Sequence, residues 1–331
     1  MLLEFIRSTS FHIVAVSVTL MAIVFNLIEG NTDKTQNKVF TLILFDVLIS
    51  GLAAIACIGL EPLRTVSDFY YKLSFASHIL YFSSHSFLAP LFYMYVRRVI
   101  GALDRDKGLG KHVVTLIPFF ISEIAICTNP FTKWVFYYGE DAVFNRNWGE
   151  SVIYISSALY FVLAVFSIFY YWSAINERRK YSLTFSFVLV ITGVLVQLFF
   201  KEVQIELQME AFALLGIMFS IEKEDDRIDA VLKTYNRGAL RMDLNNFFKM
   251  RRKFAVLCLR IEDTEYAKKA AFTSDPDMLM KPVAEYLRTV LSRYQIYRPG
   301  PESFLLVSLN PEELAKEISE RFEESWNYEG G

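Results

Sequence analysis

Four ionisable side chains sit inside long apolar stretches: Asp46, His78, His85 and Glu123. A charge in hydrocarbon is costly, so such a group is kept where it pairs, relays a proton or binds a ligand. His78 and His85 are seven residues apart, two helical turns, and share one face. Counted from the loop boundaries, His85 and Glu123 fall at similar depth in adjacent segments. A His85–Glu123 pair is therefore expected at the core of any signalling device. The same four residues serve equally well as buried polar contacts that hold helices together. No metal is expected from two His and one acid.

The elements that position them are membrane helices. Of the 331 residues 53% are hydrophobic, with 30 Phe and 18 Tyr. Charge is unevenly spread: residues 222–331 hold 18 of the 34 basic and 20 of the 36 acidic residues. That division predicts a membrane domain over 1–221 and a soluble one over 222–331. A bilayer crossing needs about 20 mostly apolar helical residues. Segments 11–28, 39–60, 73–96, 113–128, 151–172 and 183–200 qualify, and a seventh runs from 207 to 221 with Glu206 and Glu210 at its outer end. The first segment lacks the basic start and small-residue cleavage pattern of a signal peptide.

Loop charge predicts orientation. The loops after segments 1, 3 and 5 carry ten Lys and Arg, against five after segments 2, 4 and 6. The positive-inside rule then puts the amino terminus outside and the charged carboxyl-terminal domain in the cytoplasm, at the cell membrane. Seven crossings satisfy that arrangement. No basic stripe with interleaved aromatics is present, so nucleic acid is not an expected partner. Cys57 and Cys127 lie near the outer ends of their helices and read as lone buried thiols, a disulfide being the alternative. Loop 129–150 is rich in Phe, Tyr and Trp. It reads either as an interface anchor or as a lid over an outward cavity.

The soluble part shows two amphipathic patterns. Leu240, Leu244, Phe247 and Phe248 recur at helical spacing, as do Met280, Val283, Ala284, Leu287, Val290 and Leu291. Phe254 to Ile261 and Ser303 to Leu309 read as strands. Asn310-Pro311-Glu312-Glu313 is a helix start, with a cap, a first-turn Pro and acids. The order helix, strand, helix, hairpin, helix predicts an α+β sheet domain. Glu222 to Arg227 follows segment 7 without a flexible linker, which suits a rigid helical exit.

Within this domain Tyr297-Arg298-Pro299-Gly300-Pro301-Glu302-Ser303-Phe304 resembles the R-x-G-G-D-E-F hairpin of diguanylate cyclases. Asp229, Asn236 and Arg237 match the family's D-x-L-T-G-L-x-N-R opening. Leu259-Arg260-Ile261-Glu262-Asp263 aligns with its D-I-D strand end, and Asp277 with Val283-Ala284 aligns with G-D-x-x-L-x-x-V-A. The resemblance runs from 229 to about 325. It implies a GGDEF fold and, in an intact member, condensation of two GTP with Mg²⁺ into cyclic di-GMP. Here Gly300, Pro301, Glu302, Ser303 and Phe304 form a degenerate motif. Glu302 keeps a metal-ligand acid, but Arg260 replaces the other, which removes an oxygen ligand and repels the cation. Pro301 replaces the second glycine of the phosphate loop. Glu262, Asp277, Glu302 and Asn236 are what remains of nucleotide and metal contacts; ordinary surface or capping roles explain Glu262 and Asp277 as well. Lys268 stands at a base-binding Asn, and Leu291 and Tyr294 at the inhibitory R-x-x-D site.

A complete domain of that family would add a strand and helix after Trp326. The chain therefore reads as truncated or as degenerate at its end, a following effector such as an EAL phosphodiesterase being one alternative. In the membrane part, Leu88 to Tyr95, Ile117 to Phe120 and Thr128 to Phe131 resemble the seven-helix input region of some bacterial histidine kinases. The resemblances together imply a signal receptor, expected as a homodimer in the lipid bilayer, that senses a small molecule. Its GGDEF-like domain would be catalytically inactive and hold no cofactor. An active cyclase using GTP and Mg²⁺, or a phosphodiesterase whose catalytic part lies beyond this chain, is the alternative.

Overall fold

The computed structural model describes residues 2–28, 35–100, 109–172, 175, 177–200, 203–222, 228–229, 231–249, 251, 253–262, 276–292 and 295–323. Lys34, Arg105, Lys107, Lys201, the charged exit at 223–227, Asp263, Lys268, Tyr294 and the last eight residues lie outside the described residues. The chain divides into two compact units, Met1–Lys223 and Glu224–Gly331.

The first unit is helical: α1 (Leu2–Ile28), α2 (Thr35–Leu60), α3 (Asp68–Ile100), α4 (Leu109–Thr132), α5 (Glu150–Tyr170), α6 (Glu177–Phe199) and α7 (Glu206–Ile217). A 3-10 turn, Glu61–Leu63, follows α2, and a π-turn, Met218–Glu222, extends α7. Among the described residues, five helical stretches are long and apolar enough to cross a membrane: Phe5–Ile28, Gln36–Leu63, Val114–Thr132, Glu150–Tyr170 and Glu177–Gln197. Seven were expected. The difference lies in α3, which is long enough at 33 residues but carries two His, many Ser and three Lys or Arg, and in α7, which has only 12 residues. Large apolar side chains such as Leu20, Ile124, Val162 and Phe185 face outward. That distribution suits a hydrocarbon solvent rather than water.

Helix α3 occupies the middle of this unit and packs on α2, α4 and α5; α1 packs on α2 and α7, and α6 on α7. Small polar residues tie the seams, as expected where lipid gives helices no reason to associate by burial alone. Ser84 Oγ donates to the Asp46 carbonyl at 2.9 Å, Asn26 Nδ2 to Thr41 Oγ1 at 2.7 Å, and Tyr160 Oη to the Thr115 carbonyl at 2.7 Å. Gly193 lets α6 approach α7 closely, since a Cβ there would stand 3.1 Å from the Glu206 Cα.

The aromatic stretch after α4 folds as a hairpin, β1 (Phe136–Tyr138) paired antiparallel with β2 (Phe144–Arg146). Phe136 and Val135 are fully buried with Phe82, Ala125, Ile126 and Ile153, so the hairpin is sewn into the bundle. Gly149 closes it: its N–H donates to the Trp134 carbonyl at 2.9 Å, and a Cβ would lie 2.7 Å from that oxygen.

The second unit is a four-stranded sheet with helices on both faces. Its elements are β3 (Tyr235–Asn236), α8 (Arg237–Lys249), β4 (Ala255–Arg260), α9 (Pro276–Val290), β5 (Ile296–Gly300), β6 (Ser303–Ser308) and α10 (Pro311–Phe322). Strand order is β3-β5-β6-β4, with β3 parallel to β5 and the other pairs antiparallel. Alternation along β6 sends Phe304 and Leu306 to the face covered by α9 and α10, where Met280, Val283, Ala284, Leu287, Leu314 and Ile318 complete a core. Val307 points to the other face with Tyr235, Tyr297 and Leu240 of α8. Phe248 does not share that core; it is 70% exposed and rests its edge on Phe254.

Candidate functional site

The first unit is hollow at one end, where the start of α1, the turn after α2, the β1–β2 hairpin and the α6–α7 connection gather. Two adjoining cavities occupy it. The smaller, about 290 Å³, is polar, with His12, Arg64, His78 and Gln204 among its lining residues. The larger, about 980 Å³, runs between α3, α5, α6 and α7 and is mostly apolar. His85, Arg146, Gln197, Gln204 and Glu206 line both and form the polar junction between them.

Local structure explains each position. Arg64 ends the turn after α2 and is 5% exposed. Its Nε donates to Ser74 Oγ at 2.9 Å, its Nη1 to the Ala142 carbonyl at 3.2 Å, and its guanidinium lies 4.6 Å from the Tyr138 ring centroid. One buried cation thereby clamps the hairpin to α3. Asn129, fully buried at the end of α4, does the same from the other side. Its Nδ2 donates to the Phe136 carbonyl, and its Oδ1 accepts from the N–H groups of Val135 and Phe136. The hairpin is thus fixed with Phe144 and Arg146 forming part of the cavity wall. Arg146 Nη1 donates to Glu150 Oε1 at 2.8 Å and to Tyr154 Oη at 2.9 Å. Outside the helices, burial holds the Tyr138 phenol above its ordinary value, against the opposing hydrogen bond with Ser74.

The four residues read from the sequence are distributed as follows. His78 and His85 both line the smaller cavity. The His78 ring stacks on Phe144 at 4.6 Å, and its Nδ1 is shared between the Ser74 carbonyl at 2.9 Å and Tyr138 Oη at 3.1 Å. The expected His85–Glu123 pair does not form. Ser83 Oγ donates to Glu123 Oε2 at 2.7 Å, whereas His85 Nε2 faces Glu206 Oε1 at 3.7 Å. The cause is helix phase. Residues two apart on a helix point roughly 200° apart, so α3 cannot offer both Ser83 and His85 to α4. Asp46 is buried at the α2–α3 seam, where its Oδ1 accepts from Ser84 Oγ at 3.2 Å.

Sequence reasoning passed over His12, Arg64, Arg146, Gln197 and Gln204. His12 Nε2 and Gln204 Oε1 are 2.8 Å apart, joining α1 to the α6–α7 connection. A titratable His in the first apolar segment and two amides bracketing the end of the sixth were the available signals. Glu206 and Glu210, one turn apart before an apolar run, were a further one. Cys57 and Cys127 are both free, Cys57 buried and Cys127 exposed.

In the second unit the residues whose sequence resembles a degenerate motif form the β5–β6 hairpin. Gly300 pairs with Ser303 across a turn at Pro301 and Glu302, and Phe304 is wholly buried beneath it. The Ile261 N–H donates to the Glu302 carbonyl at 3.0 Å, which brings the end of β4 to the turn. Arg260 stands directly across from Ser303 with its side chain exposed, and Glu262 is exposed beyond it. Asn236 caps α8, its Oδ1 accepting from the Ala239 N–H at 3.0 Å. Asp277 is ion-paired with Arg298, whose other nitrogen reaches Asp229 at 3.2 Å. Asp229 also accepts from the N–H groups of Val231 and Leu232, a capping turn. Asn236, Asp229 and Asp277 thus serve internal bonds. Among known proteins, no family model matches the chain, and no curated protein or solved structure is found to be similar to it.

Proposed function

We propose that this chain is a multi-pass membrane receptor that binds a small molecule in the hollow end of its helical unit. All seven helices cross the bilayer, with the hairpin outside and the second unit in the cytoplasm. The second unit is a GGDEF-like domain that relays the signal, in a homodimer, without turning over GTP. The observation that carries the reading is the cavity. A hairpin pinned by Arg64 and Asn129 walls a polar pocket that opens into an apolar groove. A buried network of that kind is expensive if it only joins helices, whereas a concave site with a few convergent polar groups is how proteins hold small molecules. The inactive reading of the second unit rests on Arg260 beside the hairpin turn and on Pro301 in it, where a phosphate-binding backbone N–H would be needed.

Two measurements on the full chain in lipid nanodiscs test this. With GTP and Mg²⁺ it should make no cyclic di-GMP. Ala89→Phe, which fills the groove from α3, should change hydrogen exchange in residues 228–323. Turnover at the level of an intact cyclase would refute the inactive reading. An unchanged exchange pattern in the second unit would refute the relay.

A further inference from the structure

We infer that the molecule this cavity takes is an amphiphilic cation: an ammonium head held by Glu206 and Glu210, with an alkyl tail in the groove between α5 and α6. This rests on the reading of the cavity as a ligand site and adds the charge and shape of the ligand.

The charge follows from counting partners. Glu150, Glu206 and Glu210 all line the larger cavity, and Arg146 is the one Lys or Arg among its described lining residues. Arg146 is already engaged by Glu150 and Tyr154. His85 approaches Glu206 only at 3.7 Å, beyond a hydrogen bond. Glu210 is 8% exposed, and its Oε2 is buried with no hydrogen-bond partner. Glu206 stands one turn before it on α7 and faces the same cavity. An unpaired buried carboxylate is costly: the pair either takes up protons or accepts a counter-charge from a ligand, since the surrounding side chains do not supply one. Glu206 and Glu210 are one turn apart on the same face of α7, so a single ammonium can donate to both. A carboxylate or phosphate head would meet three acids instead.

The tail follows from the groove. Below the acids its walls are Leu88, Phe161, Val190, Val194 and Leu214, an apolar lining without further charge. Its volume, about 980 Å³, is that of a site for a whole small molecule rather than an ion. Phe161 packs edge-on against Phe187 at 4.8 Å and joins α5 to α6 at that level. Val162, Ile191 and Leu195 also line the groove and, with Val194, are exposed, so the groove is open along α5 and α6. A molecule dissolved in the lipid can therefore enter sideways, tail and head together.

The test uses the full chain in nanodiscs of uncharged phosphatidylcholine with three probes of equal length: decylamine, decanol and decanoate. Thermal unfolding and hydrogen exchange of α7 report binding. Decylamine should stabilise and protect α7 at the lowest concentration, with decanol weaker by about tenfold or more, the scale of one charge-assisted hydrogen bond, and decanoate without effect. Glu210→Gln and Glu206→Gln should each weaken decylamine by a similar factor and leave decanol unchanged. Ala89→Phe should block both. If Glu210→Gln does not fold, Glu206→Gln carries the same comparison. Decanoate binding as well as decylamine, or decylamine indifferent to both Gln variants, overturns the cation assignment while leaving a ligand site. If none of the three probes binds, the amphiphile assignment is overturned, whereas the ligand reading beneath it is refuted separately, by Ala89→Phe leaving exchange in the second unit unchanged.

Discussion

Asn129→Ala should release the β1–β2 hairpin without unfolding the helices. Asn129 is fully buried and makes three hydrogen bonds to the hairpin backbone, at 3.0, 2.8 and 3.2 Å. Alanine leaves the N–H groups of Val135 and Phe136 and one carbonyl without that partner, in a region where Val135 and Phe136 are 0% exposed. A net hydrogen bond contributes about 0.5–1.5 kcal/mol, and a stranded buried group costs about 1–3 kcal/mol. Backbone bonds from Asn147 to Val135 and from Gly149 to Trp134 remain and limit the loss. The local cost is then ~2–4 kcal/mol, or ~30- to ~700-fold in the opening equilibrium. Hydrogen exchange at Val135 and Phe136 in nanodiscs should accelerate by that factor while α2 and α6 exchange at their original rates. Asn147→Ala is the control, since the Asn147 side chain makes only exposed bonds, donating to the Lys133 carbonyl and accepting from the Trp148 N–H. Equal effects of the two substitutions, or loss of protection throughout the bundle, would refute the view that Asn129 acts as a local clasp.

Three further outcomes are expected. In a background with Cys57, Cys127 and Cys258 replaced by Ala, a membrane-impermeant thiol reagent should label Val143→Cys from outside cells but not Lys316→Cys; the opposite pattern would invert the proposed topology. Arg298→Met should destabilise the second unit by ~2–3 kcal/mol, below the ~3–5 kcal/mol typical of a broken buried pair because Asp229 and Asp277 remain about a fifth to a quarter exposed. Adding Asp229→Asn and Asp277→Asn should recover part of that loss, read by hydrogen exchange of β3 and β5. Finally, the hairpin should loosen at alkaline pH. Burial raises the Tyr138 phenol in the folded state, so the stability it contributes is complete below the unfolded value of ~10 and is lost as pH rises from there toward the folded value. Fluorescence of Trp134 and Trp148 should report the change, and Tyr138→Phe should abolish it.

Much of the secondary structure was legible because it depends on periodicity. Met280, Val283, Ala284 and Leu287 repeat at helical spacing and are the buried stripe of α9. Alternation around Phe304 and Leu306 marks a strand, and the Pro301-Glu302 turn places its partner. Long apolar runs gave the helices of the first unit. The β1–β2 hairpin was not legible as strands, since three-residue strands carry too little alternation to register. Its aromatics read as interface anchors or as a lid over a cavity; Phe136 is in the core and Phe144 stacks on His78.

The candidate site was half legible, and the divide is physical. Composition shows which side chains are out of place in hydrocarbon, so His78 and His85 could be named. It does not show the rotation of a helix about its axis, and that rotation decides partners. On α3 the residues Ser83, Ser84 and His85 point successively to Glu123 on α4, Asp46 on α2 and Glu206 on α7. A step of roughly 100° per residue distributes three neighbours among three helices, so one error of register exchanges every partner. The partners also come from far along the chain. Glu206 is 121 residues from His85, and Arg146 reaches the cavity only because Arg64 and Asn129 fix the hairpin.

The two units differ in where their polar residues find partners. In the second unit the acids and amides that a nucleotide would need are consumed internally: Asn236 caps a helix, and Asp229 and Asp277 hold Arg298. Such bonds stabilise a fold but leave little free to meet a ligand. The first unit bonds its seam residues internally as well, but not every polar group at its hollow end. Glu210 Oε2, His85 Nδ1 and His12 Nδ1 are buried without hydrogen-bond partners, and all three residues line the hollow end. Stranded groups of this kind cost about 1–3 kcal/mol each. A ligand bound in the cavity, as proposed above, would satisfy all three. On the proposed reading, the recognition chemistry therefore lies with the helices, and the sheet unit contributes a rigid body to be moved.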